Sequence, residues 1–386
     1  MLQTVAIQGY RSIHDLVLPL APLTVITGEN GTGKSNLYRA LRLLSECSKG
    51  NVVNALAAQG GLPSAVWAGP ETITRDMKLG YTPIQGTPRQ GPTRLRFGFA
   101  DDEFGYLIEL GYPIPSSSAF DLDPVIKREC IFAGQAFRPS SVLVDRKGAV
   151  VKRRHGRQYD IVSQQLSGFD SMFTHAGDPE TVPEVFSLQR KIQNWRFYSD
   201  FRTDFDAPAR QSRPATRTPV LNHDGNDLPA ALQTIKEIGD AKALATAIDD
   251  AFPGTELVID SAEVGRLHVA LQQPGLLRPL RCDEWSDGTL QYILLVAALL
   301  TPRPPELMVL NEPESSLHPD LLPALGRLIG IASEQTQVWV VSHSLRLVNC
   351  LEEIDSAQCL HLTKPLGQTK VSGIRELDLP PWRWPK

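Results

Sequence analysis

The chain has 386 residues, of which 42% are hydrophobic and 21% charged, and its formal net charge is −4 at pH 7. This composition is typical of a folded globular protein, and the length predicts one large domain with a subdomain, or two lobes. The small negative charge excludes a global electrostatic attraction to nucleic acid, so any such binding must come from a local basic patch.

Features of membrane, secreted and zinc proteins are missing from the sequence. The longest apolar segment, residues 292–300, has about half of the ~20 residues that a membrane-spanning helix needs. Residues 1–7 lack the order of a signal peptide and predict a strand instead. The five cysteines are scattered and form no C-x-x-C pair, which argues against a disulfide framework or a zinc site. We therefore expect a cytoplasmic protein with no membrane segment and with reduced thiols.

A glycine-rich loop follows the second predicted strand. Strands are predicted at residues 4–7 and 23–27 and a helix at 35–44. Between them, Gly28-Glu29-Asn30-Gly31-Thr32-Gly33-Lys34-Ser35 matches the phosphate-binding pattern G-x-x-x-x-G-K-S/T in the required context. Backbone N–H groups of such a loop wrap phosphates, and the helix N-terminus adds its positive dipole end. Lys34 is predicted to contact the β- and γ-phosphates and Ser35 to coordinate Mg²⁺. The predicted ATP ligands are Asn30, Gly31, Thr32, Gly33, Lys34, Ser35 and Asn36.

The middle of the chain has a different composition. Residues 62–217 are rich in Pro, Gly and Ser, and alternating runs at 94–99, 106–112 and 141–152 predict an antiparallel sheet with long loops. A helical piece is predicted near 185–194. We predict a nucleotide-binding core at residues 1–60 and 257–386, with a β-rich and helical lobe inserted at 61–256.

Two basic stretches lie in this middle part. The first comprises Arg146-Lys147 and residues 152–157, with Asp145 as its acidic neighbour; the second comprises Arg202, Arg210, Arg213 and Arg217, punctuated by prolines, and predicts a mobile loop. Such runs are usually solvated faces or protected edge strands. Contact with DNA phosphates is the alternative for the first stretch.

Helices and buried strands alternate towards the C-terminus. A helical pattern covers residues 228–252, strands return at 257, and helices at 290–300 and 319–334 alternate with strands at 307–310 and 338–341. This order predicts a parallel sheet covered on both faces. The sequence contains no long heptad run that would form a coiled-coil arm.

The strand at 307–310 ends in Asn311-Glu312-Pro313-Glu314. This is the form of a Walker B segment, in which the last strand residue helps to hold Mg²⁺ and the next one orients the attacking water. We therefore predict Glu312 as the general base and Asn311, with Ser35, as a metal ligand. Asn311 stands where an Asp is usual, and a neutral amide contributes no charge to the metal.

Two further segments point to the γ-phosphate. His343 follows a buried strand, and strand ends of a parallel sheet converge on the ligand crevice. Ser286 and Gly288 open an apolar helix; an N-cap is the simple interpretation, and a second phosphate site is the sharper one. Two phosphate sites this far apart in sequence can enclose one ATP only if two copies of the chain pair.

The order of these motifs resembles that of the ABC ATPases, in particular the SMC/RecF-like group of predicted ATPases known as AAA-21 or OLD-like. The resemblance implies an α/β P-loop ATPase head with an antiparallel β-rich lobe and an inserted helical lobe. It implies that Ser286 and Gly288 contact the γ-phosphate across an ATP-dependent homodimer, that residues 315–318 form the D-loop at that interface, and that His343 is the switch histidine. Gly9-Tyr10-Arg11-Ser12-Ile13 resembles the group's aromatic-Arg-Ser element, which implies that Arg11 lies near the nucleotide.

The chain also departs from the family pattern. The signature is not the Leu-Ser-Gly-Gly-Gln of transporters, Asn311 replaces an Asp, and the long coiled-coil arm is missing. For the Q-loop glutamine, Gln164, Gln165 or a residue near 198–202 stay open.

The predicted function is that of an Mg²⁺-dependent, slow ATPase whose ATP-bound dimer acts on DNA or a DNA-processing protein, in DNA repair or phage defence. The alternative is a weakly hydrolysing or non-hydrolysing switch or scaffold, which Asn311 favours and Glu312 and His343 disfavour. A transporter ATPase is disfavoured by the signature, and a nuclease by the lack of clustered acidic residues outside the nucleotide motifs.

Overall fold

The computed structural model describes residues 1–83, 91–175, 179–199, 201–260 and 265–385. The described residues form two compact units. The first unit is drawn from Met1–Ala21, Gly28–Trp195 and Leu360–Lys386, and the second from Pro22–Thr27 and Arg196–Cys359.

The strands are numbered in chain order. They are β1 (Leu2–Tyr10), β2 (Ile13–Pro19), β3 (Leu23–Gly28), β4 (Arg94–Asp101), β5 (Phe104–Gly111), β6 (Val125–Ala133), β7 (Val142–Lys147), β8 (Val150–His155), β9 (Gln158–Ser163), β10 (Arg196–Tyr198), β11 (Arg213–Pro214), β12 (Glu256–Asp260), β13 (Arg266–Gln272), β14 (Leu280–Arg281), β15 (Leu307–Asn311), β16 (Gln337–Val341), β17 (Ala357–Thr363) and β18 (Lys370–Val371).

The helices are numbered in the same way. They are α1 (Lys34–Ser48), α2 (Val52–Ala57), α3 (Gly61–Ala65), α4 (Arg75–Lys78), α5 (Met172–His175), α6 (Pro183–Gln193), α7 (Leu228–Ile238), α8 (Ala241–Ala251), α9 (Asp287–Leu299), α10 (Leu322–Ser333) and α11 (Leu345–Glu352).

An antiparallel sheet of eight strands dominates the first unit, in the order β2-β1-β4-β5-β6-β7-β8-β9. The predicted run at 141–152 is a hairpin, because Gly148 has a φ of 58° and turns the chain between β7 and β8. Strands β2, β6 and β9 are not predicted by the sequence patterns. They complete the sheet because each pairs along its length with a neighbour, as Val5 of β1 does with Leu18 of β2.

A fully buried ion pair lies in this sheet. Arg146 Nη1 donates to Glu129 Oε2 at 2.6 Å, and both side chains are 0% exposed. The Glu129 carboxylate also accepts from Tyr106 Oη (2.9 Å), Ser171 Oγ (2.6 Å) and Met172 N (2.8 Å). Every charge is thus paired, which is the condition under which buried ions are tolerated. Arg146 therefore cannot belong to an exposed basic patch, as the sequence suggested.

Four parallel strands of a six-stranded sheet lie in the second unit, in the order β10-β15-β16-β3. Helix α9 is buried along its length from Leu290 to Leu299, as expected of a helix that is apolar all round. The small strands β11, β12, β13 and β14 form an antiparallel sheet of their own. The predicted helical run at 228–252 is two helices, because the chain breaks at Gly239 and Asp240 caps α8 through a 2.8 Å bond from Ala243 N.

The predicted α/β class is confirmed: one unit is built on a large antiparallel sheet and the other on parallel strands with helices packed against them. The two units differ from the predicted domain boundaries, however. Strands β1 and β2 belong with the β-rich unit because β1 pairs with β4 from Leu2 to Gln8. Helices α7 and α8 belong with the parallel sheet because they pack in the same apolar cluster as Leu310 and Val340. Assignment of nucleotide binding to residues 1–60 and 257–386 stays a prediction.

No helix within the described ranges is long and apolar enough to cross a membrane. All five cysteines are free, and Cys47, Cys130 and Cys282 are buried. Burial raises the pKa of the Cys282 thiol to about 12 and also raises the pKa of Cys47. These buried thiols stay protonated and unreactive at neutral pH.

We predict that Arg146→Met lowers the free energy of unfolding by roughly 3–5 kcal/mol, because it leaves the Glu129 carboxylate buried without its counter-charge. Urea denaturation followed by circular dichroism measures this. Arg157→Met, at an exposed arginine of the β8–β9 turn, is the control and should change stability by less than about 0.5 kcal/mol. Equal stability of the two variants would contradict a structural role for the pair.

Candidate nucleotide site

The glycine-rich loop joins β3 to α1 and lies in the first unit from Gly28 onwards. Gly33 has a φ of 112°, in the left-handed region that favours glycine. A Cβ at Gly33 would also clash with Thr369 Oγ1. The loop therefore needs glycine at this position for both its backbone and its packing.

Lys34 begins α1 and folds back over the loop. Its ammonium donates to Gly28 O at 2.6 Å and Glu29 O at 3.1 Å. The helix has no side-chain cap and no acidic residue in its first turn, so its N-terminal dipole faces no carboxylate from its own first turn. The Ser35 hydroxyl is on an exposed residue. Together these groups can bind the oxygens of a polyphosphate and a cation beside it.

A chain of hydrogen bonds fixes the loop from the far end of the sequence. Asn36 Nδ2 donates to Ser12 Oγ (2.8 Å), Ser12 Oγ lies 2.7 Å from Thr369 Oγ1, and Thr369 Oγ1 donates to Thr32 O (2.7 Å). Thr369 N donates in turn to Ser12 O at 2.8 Å. The turn that carries Ser12 is thus held against the start of α1. Neither Ser12 nor Thr369 was identified from the sequence as a site residue.

Arg11 lies in this same turn, with a φ of 49°. Its guanidinium is 5.6 Å from the centre of the Tyr10 ring, and Nη2 is 3.5 Å from Gln59 O, at the weak end of hydrogen bonding. The adjacent residue, Ser12, contacts Asn36 of α1 as described. Nucleotide contact by Arg11 stays a prediction.

In the second unit, three parallel strands end at the same level. Asn311 of β15 is aligned with Val341 of β16, and Val341 with Ile26 of β3. The backbone turns sharply after Asn311: Glu312 has a φ of 51°, and its N–H donates to Val341 O at 2.7 Å. A non-glycine residue in this conformation stores about 1–3 kcal/mol of strain, a feature that is frequent at functional sites.

Asn311 Oδ1 is buried and has no hydrogen-bond partner among the described residues. A buried acceptor without a donor is costly and calls for an explanation. A magnesium-bound water or the ion itself would satisfy this oxygen, so the residue fits the metal-side role that its place after β15 predicts.

Glu314 holds the loop that follows β16. Its buried Oε1 accepts from Ser342 Oγ (2.6 Å), His343 N (3.0 Å) and Ser344 N (3.2 Å). His343 Nδ1 consequently lies 3.4 Å from Glu314 Oε1 and 3.8 Å from Glu312 Oε1. The predicted base and the predicted switch histidine are therefore brought together, through a carboxylate to which the sequence reading gave no role. Its signal was the second Glu of Glu312-Pro313-Glu314.

The signature segment begins α9. Ser286 is the N-cap and accepts from Thr289 N at 3.2 Å. A Cβ at Gly288 would lie 2.8 Å from Ser316 O, so glycine permits the close approach of the predicted D-loop, residues 315–318. Of these four residues, Ser315, Ser316 and His318 are exposed.

Arg210 holds the signature segment in place. Its guanidinium donates to Cys282 O (2.9 Å), Trp285 O (2.8 Å) and Asp287 Oδ1 (2.9 Å), and the side chain is 6% exposed. The prediction that Arg210 belongs to a mobile basic loop is wrong, because these contacts bury it. Arg202 is likewise paired, with Asp204 at 2.7 Å.

Two of the candidates for the Q-loop glutamine lie in the first unit. Gln164 and Gln165 are exposed and follow β9. This strand forms one edge of the eight-stranded sheet, and β2 forms the other edge.

A family model described as "AAA domain, putative AbiEii toxin, Type IV TA system" matches residues 23–349. An OLD nuclease from Thermus scotoductus is 43% identical over 44 residues, which make up 11% of this chain and 8% of the nuclease. The chain thus spans a small part of that curated relative.

Solved structures of SMC heads are similar over most of the chain. An SMC head bound to the C-winged helix domain of ScpA is 14% identical, with a TM-score of 0.49, over 97% of this chain and 98% of that one. The SMC head domain from Thermotoga maritima is 14% identical, with a TM-score of 0.44, over 97% and 99%. A head with an extended coiled coil, bound to the C-terminal domain of ScpA from Pyrococcus furiosus, is 12% identical, with a TM-score of 0.48, over 96% and 95%.

We predict that Glu314→Ala speeds amide hydrogen exchange at His343 and Ser344 by roughly tenfold or more, because two N–H groups lose a charged acceptor. Exchange followed by mass spectrometry measures this. Glu314→Gln should lie between parent and alanine variant, since an amide oxygen still accepts. The exposed Glu334→Ala serves as the control. Unchanged exchange in Glu314→Ala would show that other contacts hold the loop.

Proposed function

Because this chain belongs to the family of AAA domains matched over residues 23–349, as its motifs predicted, we propose that it binds ATP at the glycine-rich loop and hydrolyses it. The observation that carries the proposal is the register of β3, β16 and β15, which aligns Ile26, Val341 and Asn311. The loop with Lys34, the histidine His343 and the carboxylate Glu312 each follow one of these strands. Ligand sites of parallel sheets lie at such strand ends.

In the proposed mechanism, loop N–H groups and Lys34 bind the phosphates. The Lys34 ammonium exchanges its bonds to Gly28 O and Glu29 O for phosphate oxygens. Ser35 and Asn311 would hold Mg²⁺, which when bound neutralises charge on the phosphates. Glu312 accepts the proton of the attacking water, and His343, 3.8 Å from Glu312 Oε1, adds a hydrogen bond at the γ-phosphate. Glu314 positions His343 and does not contact substrate.

We further propose that ATP joins two copies of the chain. The exposed Ser286 at the start of α9 offers a hydroxyl and helix N–H groups to the γ-phosphate of the facing copy. The exposed residues 315, 316 and 318, of which Ser316 approaches Gly288, would meet their counterparts there. DNA or a DNA-processing protein, in repair or phage defence, is the proposed partner of this dimer.

A nucleotide switch without effective hydrolysis is the second candidate function. The observation that favours it is the neutral side chain at Asn311, whose Oδ1 stays without a partner among the described residues. Such a protein would cycle by binding and releasing ATP, with Glu312 and His343 serving to sense the γ-phosphate.

We expect Glu312→Gln to bind ATP without cleaving it, so that an ATP-dependent dimer accumulates, because the water loses its base while the phosphate contacts remain. Light scattering with and without ATP measures the mass. Lys34→Ala should neither dimerise with ATP nor turn it over, since the cation facing the phosphates is lost. Ser286→Arg in the Glu312→Gln background should block pairing from the opposite face.

Two results would contradict this prediction. If Glu312→Gln binds ATP tightly and stays monomeric, the shared site is wrong. Turnover by Lys34→Ala at the rate of the parent would remove the glycine-rich loop from the mechanism.

We expect Asn311→Asp to lower the Mg²⁺ concentration for half-maximal turnover, because a charged oxygen strengthens the contact by about 1–3 kcal/mol. The parent should hydrolyse ATP slowly, and Glu312→Gln should be far more damaging than any change at Asn311. A Mg²⁺ titration of the ATPase rate in the three proteins measures this. A parent inert at every Mg²⁺ concentration, beside an active Asn311→Asp, would favour the switch over the enzyme.

A further inference from the structure

A groove of about 640 Å³ lies on the eight-stranded sheet of the first unit. Five of its lining residues are cationic, namely Arg128, Arg138, Lys147, Lys152 and Arg383, whereas Asp145 is the single acidic residue among the described lining residues. The groove is therefore strongly positive on a chain whose net charge is −4. None of its lining residues belongs to the glycine-rich loop.

The sheet register sets the cations in rows across one face. Arg128 of β6 is opposite Lys147 of β7, and Asp145 of β7 is opposite Lys152 of β8. Directly opposed residues of neighbouring strands share a face. Asp145 neutralises Arg128, whose Nε lies 2.9 Å from the carboxylate. The Lys147 ammonium lies farther from the same carboxylate, at 3.8 Å, and its side chain is 69% exposed. Lys147 and Lys152 thus present charge to solvent, as do the exposed Arg138 and Arg383.

This groove replaces the basic patch suggested by the sequence. Arg146 faces the opposite side of the sheet, inside the Glu129 pair, and Arg153 pairs with Glu184 at 3.1 Å. The alternation of a strand divides the run into two faces. Within the two strands, Lys147 and Lys152 lie on the other face and are exposed, so they remain available to a polyanion.

Aromatic rings lie among these cations. Tyr159 of β9 lines the groove and is 45% exposed. Trp384, also in the lining, packs with Trp382 at a ring separation of 5.3 Å, and its indole N–H bonds to Asp15 Oδ1 at 3.4 Å. Trp382 can approach the sheet closely because Gly98 has no Cβ there. Residues 381–385 thus form one wall of the groove, and the contacts of Trp382 and Trp384 hold this wall against the sheet.

We propose that this groove binds single-stranded nucleic acid. Alternating cations and accessible rings are what such strands require: phosphates pair with the cations while bases stack on the rings. A duplex keeps its bases stacked on each other and would leave Tyr159 and Trp384 without a partner. An acidic peptide matches the charge but not the rings. The volume is that of a ligand pocket, roughly 300–1,000 Å³, so a splayed base fits inside. The proposal takes from the proposed function only the class of partner, and it requires no ATP.

The test is fluorescence anisotropy of a labelled oligothymidine with the full chain, without nucleotide, against the same sequence as a duplex. The single strand should bind at least tenfold more tightly. Tyr159→Ala should weaken binding about tenfold and Tyr159→Phe much less, because stacking needs the ring and not the hydroxyl. Lys147→Glu with Lys152→Glu should weaken it further and flatten the dependence of log affinity on log salt by about 1.4, at ~0.7 per phosphate contact.

Lys236→Glu, at an exposed lysine of α7 that does not line the groove, reverses the charge of one lysine and should leave the affinity unchanged. Lys34→Ala should also bind the oligothymidine normally, so a failure of the ATPase proposal is distinguishable from a failure of this one. Equal affinity for duplex and single strand, no effect of Tyr159→Ala, or equal competition by polyglutamate would each overturn the proposal. The last result would identify an acidic protein as the occupant.

Discussion

The register of three buried parallel strands constrains every proposed chemical group of the second unit. Hydrogen bonding between β15, β16 and β3 fixes Asn311, Val341 and Ile26 at one level. Glu312 follows β15 directly, His343 follows β16 after one intervening residue, and the glycine-rich loop continues from β3. A slip of one residue in any of these strands would turn its apolar side chains out of the core. Burial of the sheet therefore also protects the arrangement of its polar ends.

Both units use a buried carboxylate to organise a loop. Glu129 collects donors from Arg146, Tyr106 and the turn at Ser171, and Glu314 collects a hydroxyl and two N–H groups from residues 342–344. In each case the charge is compensated by several donors, which makes the arrangement specific as well as stable. The difference lies in accessibility. The Glu129 network is buried inside the sheet, whereas the Glu314 network ends at the half-exposed His343.

Local patterns were sufficient to predict those parts of the fold that are locally determined. The glycine-rich loop, the strand that ends in Asn311 and the apolar helix after Ser286 carry their own signals of spacing and composition. What the sequence could not supply were partners across the chain. Thr369 contacts the loop at Thr32 only because of the tertiary fold. Arg210 is buried and donates hydrogen bonds to the signature segment, although its sequence neighbourhood is basic and rich in proline. Likewise, alternation within residues 146–153 predicts two faces, but only the sheet decides which face Glu129 and Glu184 occupy.

The left-handed backbone of Glu312, with a φ of 51°, has a consequence for how this protein could change under selection. Glycine or asparagine adopts that conformation more easily than glutamate does. Laboratory evolution for heat resistance alone would therefore favour replacing the carboxylate, and natural drift towards greater stability would press in the same direction. At such a position, the stability of the fold and the chemistry of the side chain favour different residues.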